Sequence, residues 1–205
     1  MTEAEWLACQ STEMLLTQFD GQATERKFRL FACACYRRCG PLPRADERER
    51  AAAWRAVETA ERYADGLADD EELLAAERVG AVGGCMASDV CFHHSLVRNS
   101  DGYFAAKSAA HNCDDEAEGG WSVAMARDIF GNPFRPVAFS PSWRTSTAVA
   151  LASQMYESRD FGALPILADA LQDAGCDSAE VLDHCRGPGP HVRGCWVVDL
   201  VLGKP

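Results

Sequence analysis

The strongest constraint on this chain is its punctuation: apolar residues recur at helical spacing, in runs opened by a capping side chain and closed by glycine or proline. Thr24 precedes a run in which Phe28, Phe31, Ala32 and Cys35 form one stripe, and Gly40, Pro41 and Pro43 end it. From about Arg44 to Ala64 the spacing turns Ala53, Trp54, Val57, Ala60 and Ala64 inward, and Gly66 closes the run. Asp69 or Asp70 can open a further helix through Leu73 and Leu74. Near the start, Thr2-Glu3-Ala4-Glu5 has capping-box spacing, and Ser11 or Thr12 can cap a run carrying Met14, Leu15, Leu16 and Phe19. Later runs cover residues 121–130, 145–158, 163–174 and 178–185, with Gly131 and Gly175 among the stops. Branched strand-forming residues are sparse until the last dozen positions. These patterns predict an all-α, single-domain multi-helix bundle of about eight to ten helices with proline- and glycine-rich connections. The domain spans 1–205, with room for sub-lobes at 1–80 and 116–205 around a poorly periodic 80–115 segment.

At 205 residues the chain can bury roughly 70% of its unfolded surface, so disulfides are not required for stability. That matters because there are ten cysteines. The first residues, Met1 to Trp6, are acidic and lack the basic flank and apolar run of a secretory signal. No segment reaches the ~20 apolar residues of a membrane span. The expectation is a cytoplasmic protein whose cysteines are thiols, serving as small buried apolar groups or as metal ligands.

The net charge is −11, but it is segregated. Residues 26–62 hold ten Arg/Lys against five Asp/Glu, and residues 65–128 hold thirteen acids against four bases. The basic stretch, with Arg26, Lys27, Arg29, Arg37, Arg38 and Arg44, either pairs with the acidic middle of the same chain or presents a patch to an acidic partner. The acidic remainder repels nucleic acid, and no nucleic-acid-binding motif is present.

The most informative chemical cluster is Cys176, His184, Cys185, His191, Cys195 and Asp199. Pro190 suits a first helical position and Gly203 suits the residue past the end, so 191–202 is read as the closing helix. His191, Cys195 and Asp199 then lie at i, i+4 and i+8 on one face, about 6 Å apart per step. His184 or Cys185, across a short turn, can add a ligand, and zinc accepts such mixed imidazole and thiolate sets. The alternative makes the cysteines core residues, His191 a turn cap and Asp199 an ion-pair partner. Cys33, Cys35 and Cys39 lie on one helix beside Arg37 and Arg38, either as reactive thiols or as packing. His93, His94, His111 and Cys113 could form another centre, although adjacent helical histidines diverge by about 100°. The Asp128–Arg135 stretch, with Asn132 and Arg135 beside prolines, either presents side chains to a ligand or forms a rigid corner. No phosphate-binding loop, nucleophile elbow or zinc-protease motif occurs.

Three stretches, Met1-Thr2-Glu3-Ala4-Glu5-Trp6-Leu7, Asp128-Ile129-Phe130-Gly131-Asn132-Pro133-Phe134-Arg135-Pro136 and His191-Val192-Arg193-Gly194-Cys195-Trp196-Val197-Val198-Asp199-Leu200, give the chain a resemblance to a paralogue-rich family of helical proteins from planctomycete bacteria. The resemblance implies a helical chain, in some relatives a module joined to other domains, and implies no particular activity. Two functions are therefore expected. One is an interaction or accessory module with a protein partner. The other is a zinc-type metal-binding domain centred on His191, Cys195, Asp199, His184 and Cys185.

Overall fold

A computed structural model describes residues 1–40, 46–81, 103, 106, 107, 109, 110 and 120–204. His93, His94, His111 and Cys113 lie outside the described residues. Every regular element among those described is helical, as the spacing predicts. The helices are α1 (Glu3–Ala8), α2 (Thr12–Gln18), α3 (Glu25–Cys39), α4 (Glu47–Ala64), α5 (Asp70–Ala81), α6 (Trp121–Phe130), α7 (Ser146–Ser158), α8 (Leu164–Asp173), α9 (Ala179–Arg186) and α10 (Trp196–Leu202). A 3-10 turn at Pro141–Trp143 precedes α7. Among the described residues, no helix is long and apolar enough to cross a membrane.

Several caps follow the chemistry of the sequence, although Thr24 and Ser178, at the N-caps of α3 and α9, make no side-chain cap bond. The Ser11 hydroxyl accepts from the Met14 N–H, and Thr145 accepts from the Ala148 N–H. Asp46 opens α4 with a full capping box: its carboxylate accepts from the Glu49 N–H at 2.8 Å, and the Glu49 carboxylate accepts from the Asp46 N–H at 2.8 Å. Asp69 and Glu72 repeat the arrangement at α5.

Two compact units result. One comprises Met1 and Glu3–Ala126; the other comprises Arg127–Pro205 together with Thr2. The boundary falls inside α6 rather than in a loop.

In the first unit α4 packs on α3 and α5. The stripe of Phe28, Phe31, Ala32 and Cys35 is buried as its spacing predicts, as are Ala53, Val57 and Ala60 of α4. Trp54 is only half-buried, with its ring edge-on to Tyr36 at 5.6 Å. Cys33 and Cys35 are core residues. The basic stretch turns much of its charge onto the chain itself. Arg26 pairs with Asp65 at 3.0 Å, Arg62 with Glu72 at 3.1 Å, and Arg37 makes a two-pronged pair with the buried Glu61 at 2.6 and 3.1 Å. The Arg29 guanidinium is buried over the Tyr63 ring.

In the second unit α7, α8 and α10 enclose a core of Ala148, Ala152, Met155, Leu164, Leu167, Leu171, Val197, Val198 and Val201, with α9 laid on α8. Asn132 makes the rigid corner: its side-chain oxygen accepts from the Phe134 N–H at 2.9 Å and its carbonyl from the Arg135 N–H at 3.1 Å.

The closing helix is shorter than its terminal signals imply. Residues 191–195 are not helical, and α10 starts at Trp196. Gly194 takes φ +98°, outside the right-handed helical region, and the Cys195 N–H closes a turn on the Val192 carbonyl at 2.9 Å. His191 therefore does not share a helical face with Cys195 and Asp199.

Candidate metal centre

Four donor side chains converge in the second unit: Asp128, His184, His191 and Cys195. One ligand atom from each lies within 4.8 Å of all the others. Each arrives on a different structural device. Asp128 sits in the last turn of α6, before the Gly131 stop. His184 is in the last turn of α9. His191 rides the turn that follows Gly187, and Cys195 is the residue from which α10 starts.

The contacts form one connected network. His191 Nδ1 is 2.7 Å from Asp128 Oδ1, and the other carboxylate oxygen accepts from the Val192 N–H at 2.9 Å. His184 Nε2 stands 3.1 Å from the same Asp128 Oδ1 and 3.2 Å from Cys195 Sγ. His191 Nε2 is 3.4 Å from the Gly187 carbonyl, a contact made by an N–H donating to that oxygen. The two imidazoles meet edge to face at 5.0 Å.

The centre is largely closed to water: Asp128 is 2% exposed and Cys195 0%, while the His184 and His191 side chains are 18% and 12% exposed. Burial favours the neutral form of Asp128. Hydrogen bonds from His184 and His191, and their charge, outweigh it and hold the carboxyl below its ordinary value. Burial likewise opposes charge on His191, but the Asp128 hydrogen bond and charge prevail and raise that imidazole above its ordinary value. Burial pushes the Cys195 thiol well up, and the Asp128 charge pushes it further.

These properties separate the chemistries such a group can support. A cysteine nucleophile needs an accessible sulfur with its pKa lowered, and a base using one ring nitrogen for sulfur and the other for its orienting carboxylate. Here the sulfur is buried with its pKa raised, and the same nitrogen of His184 faces both Cys195 and Asp128. A metal fits better. Tetrahedral zinc with bonds of about 2.0–2.3 Å sets its ligand atoms roughly 3.3–3.8 Å apart. The contacts of 2.7, 3.1 and 3.2 Å and the outer limit of 4.8 Å bracket that range. An ion would replace the protons now shared among these atoms, and the His191 Nε2–H would keep its carbonyl partner, as metal-bound histidines do.

Of the ligands expected from sequence, His184, His191 and Cys195 are brought together, but by a turn and two helix ends rather than by one helical face. Asp199 does not join the group. It is buried within α10, one turn past Cys195, and its N–H donates to the Cys195 carbonyl. Cys185 also stays outside: it is a core residue whose thiol burial pushes up to about 12, with smaller contributions from Cys176 and Asp128. Asp128 is the fourth donor of the group, and the spacing of the Cys/His cluster does not indicate it. It opens the Asp128–Arg135 stretch, which could present side chains to a ligand, but it stands 48 residues before Cys176 and its spacing does not connect it to the Cys/His cluster.

No protein-family profile, curated protein or solved structure matches the chain. The class of site is thus defined by its own atoms, as a buried mixed-donor group in an all-α protein.

Proposed function

We propose that this chain is a helical module whose C-terminal unit is fastened by one zinc-type metal ion held by Asp128, His184, His191 and Cys195. The observation that carries this reading is the convergence of four chemically suitable donors from three separated stretches of chain. Imidazole and thiolate together favour zinc over magnesium or calcium, which take oxygen ligands. Four protein donors complete a tetrahedral zinc shell and leave no position for substrate, which is the arrangement of structural rather than catalytic sites. The unit has about 80 residues, close to the size at which small folds gain most from a staple. A metal at this point ties the end of α6 and the end of α9 to the start of α10, whose Val197, Val198 and Val201 complete the core.

The test is a zinc titration of metal-free protein against a chelating indicator. One equivalent bound per chain, lost when Cys195 or His184 is replaced by alanine, supports the proposal. Binding absent from the native chain, or unchanged in those variants, defeats it.

A further inference from the structure

Trp196 packs against the core but also makes contacts outside it. It follows Cys195 directly and is only half-buried, yet its indole is held from two sides. On one side it lies tilted at 55° against the His184 imidazole, ring centres 5.0 Å apart. On the other it presses on the backbone of Gly131, where a Cβ would meet Trp196 Cγ at 3.3 Å and Cδ2 at 3.5 Å. Gly131 is also at φ +70°, so both its conformation and its missing side chain are used there. Gly131 ends α6 three residues after Asp128. The one indole therefore touches the segment that carries Asp128, adjoins the residue that carries Sγ, and abuts the ring of His184.

The geometry points to Trp196 as the positioning residue of the metal centre, with Gly131 as its seat: the indole holds the His184 ring so that Nε2 faces Asp128 and Cys195. This deepens the metal reading and rests on it for its purpose, but the ring contact exists without the ion. His184 makes the case for such a wall. Its polar contacts, to Asp128 and Cys195, are both at Nε2, and contacts at one ring atom leave the tilt of the ring to its packing against His191 and Trp196. The tilted indole, with its ring centre 5.0 Å from that of the imidazole, supplies an apolar wall on one side of it. It also keeps water from that side of the shell, a role outer groups commonly fill around metal sites.

The experiment uses the full chain as wild type and as Trp196→Ala, Trp196→Phe and Gly131→Ala, with far-ultraviolet circular dichroism checking that helix content is retained. Histidine ring resonances are recorded by nitrogen–proton correlation on metal-free protein, and cobalt(II) is then titrated as an optical probe. In metal-free protein the Trp196→Ala change should shift the His184 ring signals more than those of His191, while Trp196→Phe stays near wild type. With cobalt, Trp196→Ala should weaken affinity about 10–100-fold, as loss of outer-shell partners does, and lower the intensity of the tetrahedral visible band. Trp196→Phe should stay within about threefold of wild type, and Gly131→Ala should fall between. His184 signals unmoved by Trp196→Ala, or a cobalt affinity and band that remain wild-type when those signals do move, would overturn the proposal. Should Trp196→Ala not fold, Gly131→Ala decides on the same two readouts. A wild-type chain that binds no cobalt refutes the metal reading instead, and the metal-free ring signals then decide the positioning role by themselves.

Discussion

Replacing Asp128 by asparagine removes one buried negative charge while preserving the shape of the side chain, and its cost can be worked out from the contacts. Asp128 Oδ2 accepts from Val192 N–H at 2.9 Å, and the asparagine oxygen can keep that bond. What is lost is the charge facing His191 Nδ1 at 2.7 Å and His184 Nε2 at 3.1 Å. A hydrogen bond to a charged group contributes roughly 1.5–3 kcal/mol, and stranding one half of a buried ion pair costs about 3–5 kcal/mol. The imidazole can shed its proton instead of remaining stranded, so metal-free Asp128→Asn should lose about 2–4 kcal/mol near pH 6. The pH dependence has a definite sign. Asp128 is held below its ordinary value, so its contribution is complete above a pH of about 3.9 and is lost as pH falls through the lower folded value. His191 is held above its ordinary value, so its contribution is complete below about 6.5 and is lost as pH rises through the higher folded value. The difference between wild type and variant should therefore be largest between about pH 4 and 6.5 and narrow on both sides. Urea denaturation of the metal-free chain, with hydrogen exchange at the amides of α9 and α10, measures it. A loss under about 1 kcal/mol at pH 6, or a gap that widens from pH 6 to pH 9, refutes the reasoning.

Three further outcomes follow from the same structure. Cys195→Ser should abolish the sulfur-to-cobalt charge-transfer absorption, whereas Cys185→Ser should retain it and destabilise the core by about 1–3 kcal/mol; equal effects on the metal would show the wrong sulfur was chosen. Leu167→Ala, at a fully buried site of α8, should cost about 2–5 kcal/mol by denaturant titration, and a change under 1 kcal/mol would contradict the assigned core. Asp46→Ala removes one half of the capping box and should cost about 1 kcal/mol, read as faster exchange in the first turn of α4; unchanged exchange there would remove the cap from the account.

The parts of the fold legible in the sequence are those fixed by neighbours along the chain. The Gly131 stop after α6 and the Thr145 cap of α7 are local chemistry and lie where their spacing places them, and Thr24 stands at the N-cap of α3 as placed, without a side-chain cap bond. The candidate donors are legible only where they are local. His184, His191 and Cys195 fall within twelve positions, so proximity alone singled them out. Asp128 joins them through its own bonds to His191 and the Val192 N–H, a long-range pairing that no spacing rule contains. Pro190 and Gly203 are sound signals for the two ends of a helix, but Gly194 at φ +98° delays its start to Trp196, so Asp199 shares no helical face with His191 and stands outside the group.

The most direct test of the account is the metal content of the full chain purified without added metal, measured by elemental analysis beside the Asp128→Asn and Cys195→Ser variants. Close to one equivalent of zinc per native chain, falling sharply in both variants, is the predicted result. Less than about 0.1 equivalent in the native chain, or zinc retained equally by all three, would contradict it.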